Sequence, residues 1–279
     1  MVCLCSIVPI DVLVRFSKDD SLSEAERNIF SATAILDVEQ RRLRLQASKL
    51  TRVSLSLAPQ VRALAAAPAV TIFDCQHVQV LPGALVPRPG SSSDMTAKYV
   101  FDETTNLAKF FSQVFGRNSI DGAGMTLQSS IHYGLNYNNA FWNGSQMTYG
   151  DGDGQIFVDF SKSNDVIAHE LMHGVTQHTL QLNYQNEPGG LNESLSDCFG
   201  SMFRQWEANQ DVTQADWLIG KDIMGPAAIA KGYSCLRDMA NPAGAHCLTP
   251  QPTHYSHYRT GMDPHESSGI PNLAFATIC

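Results

Sequence analysis

The residues best suited to chemistry in this chain are His169-Glu170-Leu171-Met172-His173. On an α-helix, positions i and i+4 share a face one turn apart. Both imidazoles then reach a single metal ion, and zinc accepts imidazole nitrogen at about 2.0–2.1 Å. Glu170 projects slightly off that face, where it can take the proton of a metal-bound water. Catalytic zinc wants a third protein ligand and one open position. The segment Gly189-Gly190-Leu191-Asn192-Glu193-Ser194-Leu195-Ser196-Asp197 can supply the ligand. Leu191, Leu195 and Phe199 recur every four residues, as on a partly buried helix, and Gly189-Gly190 reads as the turn before it. Glu193 and Asp197 share one face. Glu193 is the candidate third ligand, and Asp197 can accept the second N–H of a ligating histidine and fix its tautomer. Either motif alone reads equally well as a solvated helix face, so the weight lies on their joint occurrence.

Further motifs accompany these two: Asn138-Asn139-Ala140-Phe141-Trp142-Asn143-Gly144, Tyr149-Gly150-Asp151-Gly152-Asp153-Gly154, Tyr184-Gln185-Asn186-Glu187, Leu236-Arg237 and Ser268-Gly269-Ile270-Pro271-Asn272. With them the chain resembles the thermolysin-family neutral metalloproteases from about Thr71 to Phe275. Its short N-terminal segment resembles the protealysin-like branch. The resemblance implies an α+β, two-lobed protein. Residues 1–66 would be a pro-segment and linker, 67–164 a β-rich lobe, and 165–279 the zinc helix and a shortened α-helical lobe. It implies a zinc-dependent endopeptidase acting on peptide or protein substrates, with one Zn2+ on His169, His173 and Glu193 and with Glu170 as general base. Tyr184 and His265 match donors to the developing oxyanion, and Asn192, Asp197 and Asp263 match residues behind the ligands. Asn139 and the Ala140 carbonyl match groups that align substrate backbone, and Arg237 matches the residue that holds a substrate carbonyl. Phe157, Phe160, Val166, Ile219 and Leu236 fall where the family lines its primary side-chain pocket. Their apolar character implies cleavage before bulky hydrophobic residues.

The elements that must position these groups are partly readable. A helix is expected from about Asp165 to Leu180 and another from about Glu103 to Phe115. Ile72-Phe73-Asp74 and Val78-Gln79-Val80-Leu81 read as strands, and Pro82 to Asp94 as turns. Asp151-Gly152-Asp153 resembles the start of a calcium loop, but Ile156 stands where an EF-hand needs glycine. Near the N-terminus, Ser23-Glu24-Ala25-Glu26 is a capping box. The helix it opens is expected to run to about Ala47, with Ile29, Phe30, Ile35, Leu36 and Leu43 as its apolar stripe and Arg41, Arg42 and Arg44 suiting its C-terminal end. This helix is either part of a pro-segment or simply the first helix of the fold. Before it, Cys5-Ser6-Ile7-Val8-Pro9-Ile10 resembles the proline-centred opening of protealysin-like propeptides, which lies in the substrate cleft. It lacks the basic start and small-residue cleavage site of a signal peptide, although the family resemblance favours secretion.

Composition excludes other classes. The net charge of -8 leaves no basic footprint for nucleic acid. There is no apolar run long enough for a membrane-spanning helix. Of the seven cysteines, Cys235 and Cys247 could bridge a loop under oxidising conditions, while the plainer reading leaves most of them free and buried. A thiolate from Cys3 or Cys5 would be a good zinc ligand and could silence the enzyme.

The chain departs from the family in three places. Asp165 and Asp216 remain where the family has calcium-binding acids, but Arg204, Leu218 and Lys221 replace the other three. No double-calcium site is expected, and Arg204 is expected to pair with Asp165 instead. The stretch Met262-Asp263-Pro264-His265 is short, and Pro264 restricts Asp263 to extended backbone. The chain also ends soon after His265, which raises the alternative of a catalytically impaired zinc-binding remnant.

Overall fold

A computed structural model describes residues 5–51 and 67–279 of the chain. The N-terminal segment begins with an extended stretch and the short helix α1 (Ile10–Phe16), which Pro9 precedes in extended backbone. The long helix α2 (Glu24–Thr51) follows. Its capping box forms as the sequence implies: Ser23 N donates to Glu26 Oε2 at 2.7 Å, and Glu26 N to Ser23 Oγ at 3.3 Å. The stripe on α2 is different from the expected one. Ile35 and Leu43 are exposed, and among the described side chains of the helix the buried ones are Phe30, Thr33, Ala34 and Asp37. Thr33 and Asp37 are buried because they hydrogen-bond the cleft wall, as described below. Arg44 lies among the residues whose side chains are not described.

The next part carries strands β1 (Val70–Asp74) and β2 (Ala84–Leu85), helix α3 (Met95–Phe115), and strands β3 (Leu127–Ile131), β4 (Ala140–Trp142) and β5 (Met147–Tyr149). They form a mixed sheet in the order β2-β1-β3-β5-β4, with β1–β3 and β3–β5 parallel and the outer pairs antiparallel. The expected strand Val78–Leu81 does not form. Gln76 and His77 take left-handed backbone (φ 52° and 61°), which turns the chain away before Ala84 returns to the sheet. Helix α3 starts eight residues earlier than expected, at an Asp94 cap that accepts from Thr96 N and Ala97 N.

The remaining part is mainly helical: α4 (Asn164–His178), α5 (Asn186–Glu207), the two-stranded ribbon β6 (Leu218–Ile219) with β7 (Arg237–Asp238), α6 (Pro226–Ala230), α7 (Pro264–Ser267) and α8 (Gly269–Ile278). Small residues let α4 lie deep between its neighbours. A Cβ on Gly174 would meet Trp142 at 3.2 Å, and one on Gly200 would meet the Asp165 carbonyl oxygen at 2.8 Å. Gly189 and Gly190 sit inside α5, not in a turn before it. Their use is close approach: a Cβ on Gly190 would fall 2.4 Å from Ser267 Oγ and one on Gly189 2.9 Å from Pro264, both on α7. For the same reason the buried face of α5 is its polar, small-residue side, and Leu191 is exposed. One apolar cluster runs through the N-terminal segment, the sheet and the helices. Among the described residues no helix is long and apolar enough to cross a membrane.

Candidate metal centre and substrate cleft

Helices α4 and α5 cross so that three donor groups face one another. His169 Nε2 and His173 Nε2 are 3.0 Å apart. Glu193 Oε2 lies 3.3 Å from His169 Nε2, and Glu193 Oε1 lies 3.4 Å from His173 Nε2. All three side chains are fully buried. The other ring nitrogens are occupied: His169 Nδ1 meets Asp197 Oδ1 at 2.9 Å, and His173 Nδ1 meets Asn192 Oδ1 at 2.8 Å and Ser196 Oγ at 3.1 Å. Asp197 and Asn192 offer oxygen acceptors, which assigns the Nδ1 protons to the histidines. In their neutral forms the two imidazoles would turn bare Nε2 lone pairs to each other and to a carboxylate. Two nitrogens and a carboxylate oxygen converging in this way are a donor set that fits zinc and that a cation would relieve.

The electrostatics follow from the packing. Burial pulls the His169 pKa down, but the hydrogen bonds to Asp197 and Glu193 prevail and raise it to about 9. Burial and the neighbouring His169 lower His173 to about 3. Burial opposes ionisation of Glu193, yet His265, His173 and His169 hold its carboxyl well below the usual range. Asp197 also stays ionised despite burial, chiefly through Arg237 and His169. It receives Arg237 Nε at 2.9 Å, Arg237 Nη2 at 2.8 Å and Asn272 Nδ2 at 2.8 Å besides His169. Glu170 is fully buried on α4, and its charge adds to burial in raising the Tyr149 phenol.

His265 closes the other side. Asp263, extended at φ -60° and ψ 137°, caps α7 and accepts from both His265 N (2.9 Å) and His265 Nδ1 (2.8 Å). The short loop therefore leaves His265 oriented. Burial opposes its charge, but Glu193 and Asp263 raise its pKa. The Tyr184 hydroxyl donates to Glu193 and lies 3.5 Å from His265 Nε2.

The cleft between sheet and helices is lined by the predicted groups, and four of them, His265, Ala140, Arg237 and Asn139, grip the chain's own residues 6–8. His265 Nε2 meets the Ser6 carbonyl at 2.7 Å. Ile7 N donates to the Ala140 carbonyl at 3.0 Å, and Arg237 Nη1 donates to the Ile7 carbonyl at 3.1 Å. Val8 N donates to Asn139 Oδ1 at 2.9 Å, and Asn139 Nδ2 donates to the Val8 carbonyl at 3.0 Å. Ser6 also bridges antiparallel to Phe141, so the segment adds to the β4 edge like an extra strand. Phe157, Phe160, Val166, Ile219 and Leu236 are fully buried in the apolar cluster that also contains Ile7, Val8 and Leu13. Cys3 lies outside the described residues. Cys5 is disulfide-bonded, and its sulfur lies within 4.8 Å of ligand atoms of His173 and Glu193. It can face a metal as a thiolate only after reduction.

The structure also brings in residues that the site reading did not single out. Asp37 on α2 accepts from Asn139 Nδ2 at 2.6 Å and from the Tyr137 hydroxyl, while Thr33 Oγ1 accepts from Asn138 N at 3.2 Å. The available signal for Asp37 was its spacing, seven residues after Phe30 and so on the same helix face. Asn272 was visible only as a motif member. Where the resemblance implies calcium-binding acids, Arg204 Nη1 lies 3.4 Å from Asp165 Oδ2 and Arg204 Nη2 2.5 Å from Asp222, while Lys221 pairs with Asp216.

Comparison with known proteins finds relatives in sequence and in structure. Family models for the thermolysin metallopeptidase catalytic domain and its alpha-helical domain match residues 90–177 and 180–279. An extracellular metalloprotease of Pectobacterium carotovorum is 42% identical over 216 residues, 74% of this chain and 61% of that protein. A thermolysin of Alicyclobacillus acidocaldarius is 46% identical over 210 residues, 72% of this chain but 36% of its own length. The chain thus spans less than two thirds of these relatives. The solved precursor of protealysin, a metalloproteinase from Serratia proteamaculans, superposes with a TM-score of 0.78 at 33% identity, covering 98% of this chain and 79% of that one.

Proposed function

Because the chain belongs to the thermolysin metallopeptidase family, we propose that it is a zinc-dependent endopeptidase held in a zymogen form by its own N-terminal segment. His169, His173 and Glu193 would hold the ion, and zinc there supplies Lewis acidity to a peptide carbonyl and to water. Glu170, one residue after His169 and shielded from solvent, takes the proton of the attacking water and passes it to the departing amine. His265, whose pKa Glu193 and Asp263 raise against burial, donates to the oxygen on which negative charge develops, and Tyr184 stands beside it as a second donor. Arg237, fixed by its two bonds to Asp197, holds a substrate carbonyl. Asn139 and the Ala140 carbonyl keep the peptide extended along β4. The apolar lining by Phe157, Phe160, Val166, Ile219 and Leu236 favours a bulky hydrophobic side chain just after the scissile bond.

The observation that carries this reading is the grip on residues 6–8. Groups suited to a substrate backbone already hold an extended peptide whose Ser6 carbonyl sits on His265. Residues 1–66 are accordingly read as pro-segment and linker, 67–164 as the sheet lobe and 165–279 as the zinc helix and helical lobe. The Arg204–Asp165 and Lys221–Asp216 pairs take the place of calcium ions. The alternative of an impaired remnant loses support from the intact Asp263–His265 orientation.

The test is hydrolysis of a quenched peptide with leucine or phenylalanine after the scissile bond, before and after removal of the N-terminal segment. Wild type, Glu170→Ala and a chelator control are compared, with zinc content measured on each. Turnover by the processed wild type alone, with equal zinc content in the wild type and Glu170→Ala, is expected. Stoichiometric zinc without turnover in any sample would favour the remnant.

A further inference from the structure

A second cluster of metal-ligand residues lies away from the histidine–carboxylate centre. The chain from Ser234 to Thr249 folds back on itself: Ser234 N donates to the His246 carbonyl, Leu248 N to the Cys235 carbonyl and Thr249 N to the Leu236 carbonyl, at 2.9, 2.9 and 3.0 Å. This pairing sets Cys235 against Cys247 in a parallel bridge. The two thiols are free and fully buried. Their sulfurs are 4.0 Å apart, and His246 Nε2 is 3.8 Å from Cys247 Sγ. The three ligand atoms all lie within 4.8 Å of one another. Asp238 Oδ2 stands 3.0 Å from the same His246 nitrogen.

These spacings discriminate between two uses of a cysteine pair. Bonded sulfurs are about 2.05 Å apart. Two thiolates on a tetrahedral zinc, each at about 2.3 Å, are roughly 3.8 Å apart, and a sulfur and an imidazole nitrogen roughly 3.5 Å. The observed edges match the second case.

We propose that Cys235, His246 and Cys247 supply three ligands of a structural binding site for a thiophilic divalent cation, zinc foremost. Two thiolates with an imidazole suit zinc and discriminate against calcium and magnesium. The site lies at the base of β7. Leu236 and Arg237 sit between Cys235 and Asp238, so an ion here fixes the strand that presents the pocket lining and the carbonyl-binding guanidinium. The proposal stands apart from the reading of the catalytic centre, because each centre is counted by its own variants.

The test is metal content of the full chain, purified reduced and without chelator, by native mass spectrometry and by cobalt substitution. Two ions per chain are expected in the wild type. Cys247→Ser should lose one, and His169→Ala should lose the other. Thiolate-to-cobalt charge-transfer absorption should survive Cys5→Ser and vanish in Cys247→Ser. Should Cys247→Ser fail to fold, cadmium-113 NMR of the unmutated chain decides, with a strongly deshielded thiolate resonance expected beside that of the nitrogen–oxygen centre. One ion per chain with both thiols open to alkylation would overturn the proposal. So would a mass lower by two hydrogens that maps to a Cys235–Cys247 disulfide.

Discussion

The candidate metal centre and the segment that covers it hold their polar groups in different ways. At the centre every partner is a side chain, and most come from two neighbouring helices: 28 residues separate His169 from Asp197, and 19 separate His173 from Asn192. At the cover, the groups being held are backbone carbonyls and amides of Ser6, Ile7 and Val8, up to 259 residues from their partners. The centre therefore demands particular residue types. The cover demands only an extended chain, which any peptide substrate can supply. The two regions share Arg237, which binds Asp197 with one edge and the Ile7 carbonyl with another.

The largest expected effect breaks the chemistry and leaves the cover alone. Glu170→Gln should lower peptide hydrolysis by on the order of 10³-fold while zinc content and unfolding midpoint stay near wild type. A variant that kept a tenth of the activity would remove Glu170 from the proton-transfer role. Arg237→Ala strikes both regions at once. It leaves a buried Asp197 with only His169 and Asn272, and should cost about 3 kcal/mol of stability in denaturant titration. A loss below ~1 kcal/mol would mean that Asp197 is satisfied without its cation.

The same contrast explains how much the sequence discloses. The histidine spacing and the Glu193–Asp197 face were legible because helical periodicity alone places those side chains together. The cleft groups Asn139, Arg237 and His265 were legible only through resemblance, since nothing local links positions so far apart. Asp37 and Thr33 were missed because hydrophobic patterning assigns a helix face by its apolar residues, and Ile35 and Leu43 misdirected it. The glycines of α5 were misread as a turn because the need for close approach comes from α7, about 75 residues further on. The two regular features of the sheet lobe that sequence placed wrongly, Val78–Leu81 and the start of α3, both depend on left-handed residues or caps whose effect appears only when the chain is folded.

A region outside both tests whether the scaffold responds to pH on its own. His132 bridges Asp151 Oδ1 at 2.8 Å and Asp94 Oδ2 at 3.1 Å, tying the α3 cap to the loop after β5. The hydrogen bond from His132 to Asp151, against the drag of burial, raises its pKa to about 9. The folded-state value lies above the ordinary one, so the contribution is fully present below about pH 6.5 and is lost as the pH rises through 9. His132→Gln should cost on the order of 2 kcal/mol near pH 6 and close to nothing near pH 10 in urea titrations. An equal cost at both pH values would assign His132 a packing role instead.

The smallest effect concerns how firmly the cover is seated. Asp37 accepts a 2.6 Å bond from Asn139, the residue that clamps Val8 from both sides. Exchanging the carboxylate for an amide keeps its volume and removes the charge-assisted acceptor. Asp37→Asn should weaken the seating by about 1 kcal/mol, and so shorten the lag before full-length protein gains activity by roughly fivefold. The turnover of fully processed enzyme should not change, because α2 would by then be absent. An unchanged lag would mean that the backbone contacts of residues 6–8 seat the segment by themselves. In that case the cover would be nothing more than a bound peptide, and α2 only its tether.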